Sequence, residues 1–376
     1  MPLLQLVAAL AFTQTHRPVD VEVVAGHIYL PVTVNGKPAK FILDTGAQSS
    51  VVLPESAERL GVTGGTPVQA RGAGNEAVSA KITKIANISA GGQEVQNMTA
   101  IVLALPSGIQ CDGILGAGFL KNFVTTIDYE HKKVTFTPKE DFKVPNGAVE
   151  IPIKMPGGVP QAEVTIAGLK GWATIDTGAN GTLTLNTPFV IENKLRDQFP
   201  RRIKTIVGKG VGGFVYGELF KLDSFEFGPF KMPTLIAAMA DQKGGVFSQK
   251  DLVANIGSDV LSRFTVSFNY PGLKMVLQKA KRFDDESDSN RTGIVLDFDG
   301  QHEMVADVAP GSPGARSGVE TGDEIVEYNG RPIQEFNAAQ IREVVRQKAG
   351  TKVSFKIKKK SGELVTVNLT LEDWIK

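Results

Sequence analysis

The chain is predicted to be a mainly β protein, built as two similar lobes in tandem that form a twofold-like bilobal unit, followed by a separate α+β unit. Three observations predict this: an internal duplication, short β-branched runs through most of the length, and a change of rhythm after Lys281.

The duplication is the strongest of the three. FILDTGAQSSVVL carries Asp44-Thr45-Gly46, and WATIDTGANGTLTL carries Asp176-Thr177-Gly178. At that spacing of 132 positions, VTVNG (Val32 to Gly36) falls on VTIAG (Val164 to Gly168), Ala47 on Ala179, and Leu53 on Leu185. A second block, ILGAGFLKNFVTTIDY from Ile114, matches NIGSDVLSRFTVSFNY from Asn255 at a spacing of 141. Asp and Gly favour turns wherever they occur, so one Asp-Thr-Gly is unremarkable. Two copies with matched flanks on both sides mark a repeat.

The repeat places the first lobe at residues 18–140 and the second at 147–281, with Pro145-Asn146-Gly147 punctuating the join. HIYLPVTV, AKFILD, KKVTFTP, AEVTIAG and FTVSFNY read as strands between turn residues. Short helices are expected at PESAERLGV, between Pro54 and Gly61, and at Phe119 to Asn122. FDDESDSN makes residues 282–290 an acidic linker. In 291–376 strands are expected at GIVLDF, MVADVA, DEIVEYN, KVSFKIK and LVTVNLT. A helix opens on the capping box Asn337 to Gln340. The lysines of KIKKK (Lys356 to Lys360) read as a solvated strand end that discourages edge pairing.

Composition excludes several classes. The 376 residues are 42% hydrophobic and 22% charged, with a formal charge of +1, so neither nucleic acid nor an acidic membrane is indicated as a partner. Cys111 is the single cysteine and reads as a small, partly buried apolar side chain. His16, His27, His131 and His302 show no metal-ligand spacing, so neither a metal nor another cofactor is expected. Residues 1–17 include LLQLVAALAF, the length of a signal-peptide core and too short to span a bilayer, with Ala9-Leu10-Ala11 as a cleavage signal. No Lys or Arg precedes it; export to the periplasm, cell envelope or medium is the expectation. No other apolar run is long enough for a membrane helix.

Chemistry follows from the pair of acids. Hydrolysis of an amide needs a base for water and an acid for the leaving nitrogen. Two carboxyl groups a few Å apart retain one proton between them, which supplies both. The pair titrates as a unit. Thr supplies a hydroxyl to tie one turn to the other, and Gly allows a tight turn with its N–H facing a carboxylate.

These motifs resemble the aspartic peptidases, and more closely their retropepsin-like branch, in which each lobe carries Asp-Thr-Gly-Ala. The resemblance implies that Asp44 and Asp176 are catalytic and that Thr45, Gly46, Ala47, Thr177, Gly178 and Ala179 form the active turns. Ile114-Leu115-Gly116 is similar to the apolar-apolar-Gly element behind the active turn; Asn255-Ile256-Gly257 departs from it at the first position. IVGKGVGGFV, with Gly210, Gly212 and Gly213, is similar to the glycine-rich flap hairpin of retroviral proteases, and ARGAGNEA, with Gly72 and Gly74, is a fainter counterpart. A phosphate loop is excluded there by the missing Lys-Ser/Thr ending. With both copies on one chain, the resemblance implies a site made by a single polypeptide acting on peptides or unfolded proteins, without a cofactor.

SPGARSGVETGDEIVEYNGRPI resembles the bacterial PDZ pattern at Pro313, Ala315, Gly318, Gly322-Asp323, Ile325 and Asn329-Gly330. That implies peptide capture by strand addition between the first strand and the helix, at Gly293, Ile294, Val295, Ile341 and Val345, with Arg291 to Ile294 as the loop for a protein C-terminus. The reading is therefore an endopeptidase whose PDZ domain recruits or positions substrate. A protein that binds peptides in both grooves without cleaving is the alternative, and pairing of each lobe with its twin on a second chain is a third.

Overall fold

The computed structural model describes residues 17–287 and 289–375. The apolar N-terminal run, and with it the export expectation, lies outside the described residues.

The fold is mainly β, and its two lobes repeat one plan. In the first, the hairpin His27–Val34 and Lys37–Leu43 turns at Asn35-Gly36, both with positive φ (50° and 77°). In the second, Gln161–Ile166 and Leu169–Ile175 turn at Ala167-Gly168, with φ of 51° and 79°. Two central residues with φ above zero make the mirror-image turn that suits a twisted hairpin, which is why VTVNG aligns with VTIAG. The outgoing strand of each hairpin then runs parallel to a short strand from far along the chain: Lys37–Leu43 beside Gly113–Leu115, and Leu169–Ile175 beside Ala254–Ile256.

A shared sheet joins the lobes. Val124–Asp128 pairs antiparallel with Phe264–Asn269, and Thr126 lies opposite Ser267 with their hydroxyl oxygens 2.8 Å apart. Those two residues are equivalents in the repeat, so the pseudo-twofold axis passes between them. Lys133–Thr137 and Val19–Asp20 extend this sheet on one side; Lys274–Lys279 and Val149–Lys154 extend it on the other. One apolar core runs through both lobes, with Phe41, Phe119, Phe136, Phe220, Phe264 and Phe268 fully buried. Each such side chain contributes about 1.5–3 kcal/mol of burial.

The C-terminal unit has its own core, around Ile294, Val305, Ile325, Phe355, Ile357 and Leu371. Its helix Ala338–Arg346 starts as expected, with Asn337 and Gln340 bonding reciprocally.

One local reading is refined and two are corrected. The acidic linker is anchored at its start: the Phe283 ring is buried against Phe264 and Phe230, and the buried Arg263 donates to the carbonyls of Phe283 and Asp285. The lysine run begins on the last residues of Lys352–Lys358, an inner strand between Glu324–Tyr328 and Leu364–Thr370, where Lys356 pairs with Glu327 and Lys358 with Glu324, and Lys359, just past its end, pairs with Asp323. Charge pairing across strands, not edge protection, accounts for it. The short helix expected at 119–122 covers Ala117–Leu120, because Gly116 is its N-cap and Leu120 closes back on the Gly116 carbonyl.

The C-terminal unit docks on the lobes. Arg342 donates to the carbonyls of Ala25 (2.8 Å) and Asn180 (2.6 Å) and, with Arg346, pairs with Asp259 (3.1 and 3.3 Å). Asp307 accepts from the Ile206 N–H (2.9 Å) and the Thr205 hydroxyl (2.7 Å). Trp374 and Ile375 cover Ile203, Leu219 and Ile236.

Candidate active site

Each Asp-Thr-Gly turn leaves the end of a strand wedged beside its parallel partner, with Asp44 N–H bonded to Leu115 O and Asp176 N–H to Ile256 O. Glycine behind each turn is a requirement of space. A Cβ on Gly116 would lie 2.7 Å from Ala47 O, and one on Gly257 would lie 2.3 Å from Gly181 O.

The two turns interlock across the seam. Thr45 Oγ1 donates to Ile175 O (2.7 Å) and accepts from Thr177 N–H (3.0 Å). Thr177 Oγ1 donates to Leu43 O (2.9 Å) and accepts from Thr45 N–H (3.0 Å). Both threonines are completely buried. This reciprocal clasp sets the separation of the acids. Asp44 and Asp176 are in side-chain hydrogen-bond contact. A Cβ on Gly46 would lie 2.6 Å from the Asp176 carboxyl carbon, and one on Gly178 would lie 2.3 Å from that of Asp44. The glycines are what allow the carboxyls to approach.

One oxygen of each carboxyl is held by its own turn. Asp44 Oδ1 accepts from Gly46 (2.8 Å) and Ala47 (3.1 Å), and Asp176 Oδ1 accepts from Gly178 (2.9 Å) and Ala179 (3.1 Å). Burial first, then the Asp176 charge and the bond between the two carboxyls, push Asp44 well above the usual carboxylate range, against the pull of the Gly46 and Ala47 N–H groups.

The aspartyl protease family profile matches residues 30–119 and 162–260, one segment per lobe, with an Asp-Thr-Gly turn in each. The chain belongs to the aspartyl protease family. A PDZ domain profile matches residues 304–359, which identifies the C-terminal unit. Among curated proteins, DNA damage-inducible protein 1 of Phaeosphaeria nodorum is 26% identical over 155 residues, covering 38% of this chain. The chain spans about a third of that relative's length, 32%.

In this member of the family a hairpin forms in each lobe at the segments where flaps are expected. The second is Ile203–Gly210 with Gly213–Leu222; the first, fainter in the sequence, is Thr66–Arg71 with the start of Ala77–Ala90. Their tips meet, Gly74 N–H bonding Val211 O (3.0 Å) and Glu76 N–H bonding Gly212 O (3.2 Å). Gly72, Gly74 and Gly212 lie at that crossing. A Cβ on Gly74 would come within 2.0 Å of Gly212, and Gly212 itself has φ of 88°. Gly210 faces Ala73, and Gly213 (φ 105°) faces open space. Val211 reaches the opposite lobe and packs with Val51, Leu103 and Ile114.

Three further residues escaped the sequence reading. His27 Nε2 bonds Gly178 O at 2.9 Å, bracing the second turn from the first lobe, and burial lowers the histidine's basicity. Asn255, noted only as a departure from the motif, donates from Nδ2 to Asp176 Oδ2 at 2.9 Å. Asp259, just beyond Gly257, receives the two PDZ arginines. No signal in one sequence connects residues so far apart.

The PDZ groove residues divide. Ile294 and Val345 are buried in the PDZ core, Ile341 packs half-buried against it, and Val295 lines a cavity of about 180 Å³ facing Asn180, Thr182 and Val207 of the second lobe. Gly293 turns with φ of 68°. The backbone donors of the carboxylate loop are engaged: Arg291 N–H with Val345 O, Thr292 and Gly293 N–H with Asn290 Oδ1, and Ile294 N–H with Thr292 Oγ1.

Proposed function

We propose that this chain is a single-chain aspartic endopeptidase that cleaves extended peptides or unfolded proteins, with Asp44 and Asp176 as its catalytic pair and the two Thr-Gly-Ala turns as its frame. The observation that carries this is the contact of two carboxyls across a clasp that both lobes build. One proton between them lets the ionised member take a proton from water as the water oxygen attacks the peptide carbonyl. The protonated member gives its proton to the carbonyl oxygen. As the C–N bond breaks, the first acid delivers its proton to the leaving nitrogen and the second recovers one from the diol. The ends of the reaction restore both acids.

The crossed flaps require an opening step before substrate enters. The PDZ domain positions substrate at one end of the cleft: it touches Asn180, in the loop after the second active turn, and holds the second flap strand through Asp307. With the donors of its carboxylate loop occupied, capture of an internal extended segment suits the groove better than capture of a free C-terminus.

The test is incubation of the full chain with a reduced, unfolded protein between pH 3 and pH 8, with and without a statine-type peptide inhibitor. Cleavage abolished by the inhibitor is expected. Tight binding without any turnover would leave the non-cleaving alternative.

A further inference from the structure

Around the dyad one departure from the pseudo-twofold symmetry bears directly on a carboxyl oxygen. Ile114 and Asn255 are the first residues of the two apolar-apolar-Gly elements, on Gly113–Leu115 and Ala254–Ile256. Each lies beside the strand that feeds its own catalytic turn, Ile114 opposite Ile42 and Asn255 opposite Thr174. Ile114 packs into the apolar cluster with Val51 and Val211. Asn255 is 8% exposed, and its amide reaches Asp176 Oδ2 at 2.9 Å.

The consequence is a difference in donors. Asp176 accepts at both oxygens: Gly178 and Ala179 at Oδ1, Asn255 at Oδ2. Asp44 accepts the equivalent pair at Oδ1, and the residue at the position equivalent to Asn255 is an isoleucine, which has no donor to offer. An N–H directed at a carboxyl oxygen favours its ionised form over its protonated form. We infer that Asn255 is a positioning residue that assigns the single proton of the pair to Asp44 and the negative charge to Asp176. Asp176 is then the group that takes the proton from water, and Asp44 the group that protonates the carbonyl oxygen. The direction of the Asp44 perturbation agrees. This rests on the peptidase reading of the dyad and specifies the role of each member.

Other titratable groups near the pair are His27 at Gly178 O, Tyr129 on the Asp176 side and Tyr270 on the Asp44 side, with Arg342 and Asp259 beyond them. None of these is a hydrogen-bond partner of the Asn255 amide among the described residues, so a shift on replacement reports the amide.

The experiment compares the full chain with Asn255→Leu, which keeps shape without a donor, and Asn255→Thr, which keeps a shorter donor. Losing one donor to a charged group moves the acid limb of kcat against pH upward by about one unit. Activity on the acid side falls about tenfold, and Asn255→Thr shifts the limb by less. In parallel, carbon-13 carboxyl spectra of aspartate-labelled chain, assigned with Asp44→Asn and Asp176→Asn, follow the dyad directly; the first deprotonation belongs to Asp176 and moves with the limb. If Asn255→Leu fails to fold, Asn255→Ile, which installs the first lobe's own residue, carries the same expectation. An unmoved limb and unmoved carboxyl titration in a folded variant overturn the assignment. If the native chain cleaves nothing, the carboxyl titration still decides the role of Asn255, and only the peptidase reading fails.

Discussion

Replacing Thr45 by Val removes one hydroxyl from the clasp while keeping the side-chain shape. Two groups lose their partner, the Thr177 N–H and the Ile175 carbonyl, both bonded to Thr45 Oγ1 and both at the seam between lobes. Thr45 is 0% exposed, so water does not replace the lost bonds without disruption. Each buried group left without a partner costs about 1–3 kcal/mol, so the two together destabilise by about 2–6 kcal/mol. At about 2–4 °C per kcal/mol, the slope for large domains, Tm falls by at least about 4 °C. A control lies in the same core. Thr125 is also 0% exposed, but its hydroxyl has no hydrogen-bond partner among the described residues, so Thr125→Val is expected to be neutral or stabilising. The assay is thermal unfolding by circular dichroism at one pH, with kcat measured beside it. Because the clasp spaces the acids, Thr45→Val lowers kcat more than it changes KM. Equal Tm values for the two variants, or full activity in Thr45→Val, would refute the assignment of separation and stability to the clasp.

Three further outcomes follow from named contacts. Asp44→Asn is more stable than the native chain at neutral pH and not at pH 3: a carboxyl raised in the folded state keeps its proton there while the unfolded chain releases it, so native stability declines as pH rises through the folded value, and a neutral amide does not titrate. Unfolding at the two pH values checks this. Gly74→Ala drives a Cβ into Gly212 and holds the flap tips apart; KM rises with little change in Tm, read by steady-state kinetics on a peptide. Arg342→Ala removes bonds to Ala25, Asn180 and Asp259, loosens the PDZ domain from the cleft end and raises its hydrogen-exchange rates, and it lowers kcat/KM for unfolded protein more than for a short peptide that fills the cleft alone.

Much of the fold was legible because it is written twice. Matched flanks around Asp44 and Asp176 announced the hairpins, and the second block placed Thr126 and Ser267 as equivalents, which is where the axis passes. Gly116 and Gly257 matched because a Cβ at either would strike the active loop. The capping box at Asn337 was local and therefore readable. What escaped was contact across long separation. His27 finds Gly178, and Arg342 finds Asp259, only once the lobes and the PDZ domain are in place. The first flap was faint because Gly72 to Glu76 differs in sequence from its twin, while the tip bonds that define it are backbone bonds. Asn255 looked like a weakened motif, since its meaning depends on the distance to Asp176. The anchoring of the acidic linker was not legible because the residue that holds it, Arg263, lies outside it.

Hydrolysis of an unfolded protein by the native chain, Asp44→Asn and Asp176→Asn, each shown to be folded, tests the central claim most directly. The account predicts cleavage by the native chain and a loss of at least about a thousandfold in either variant, because neither acid completes the proton cycle alone. Cleavage at native rates by either folded variant would contradict it.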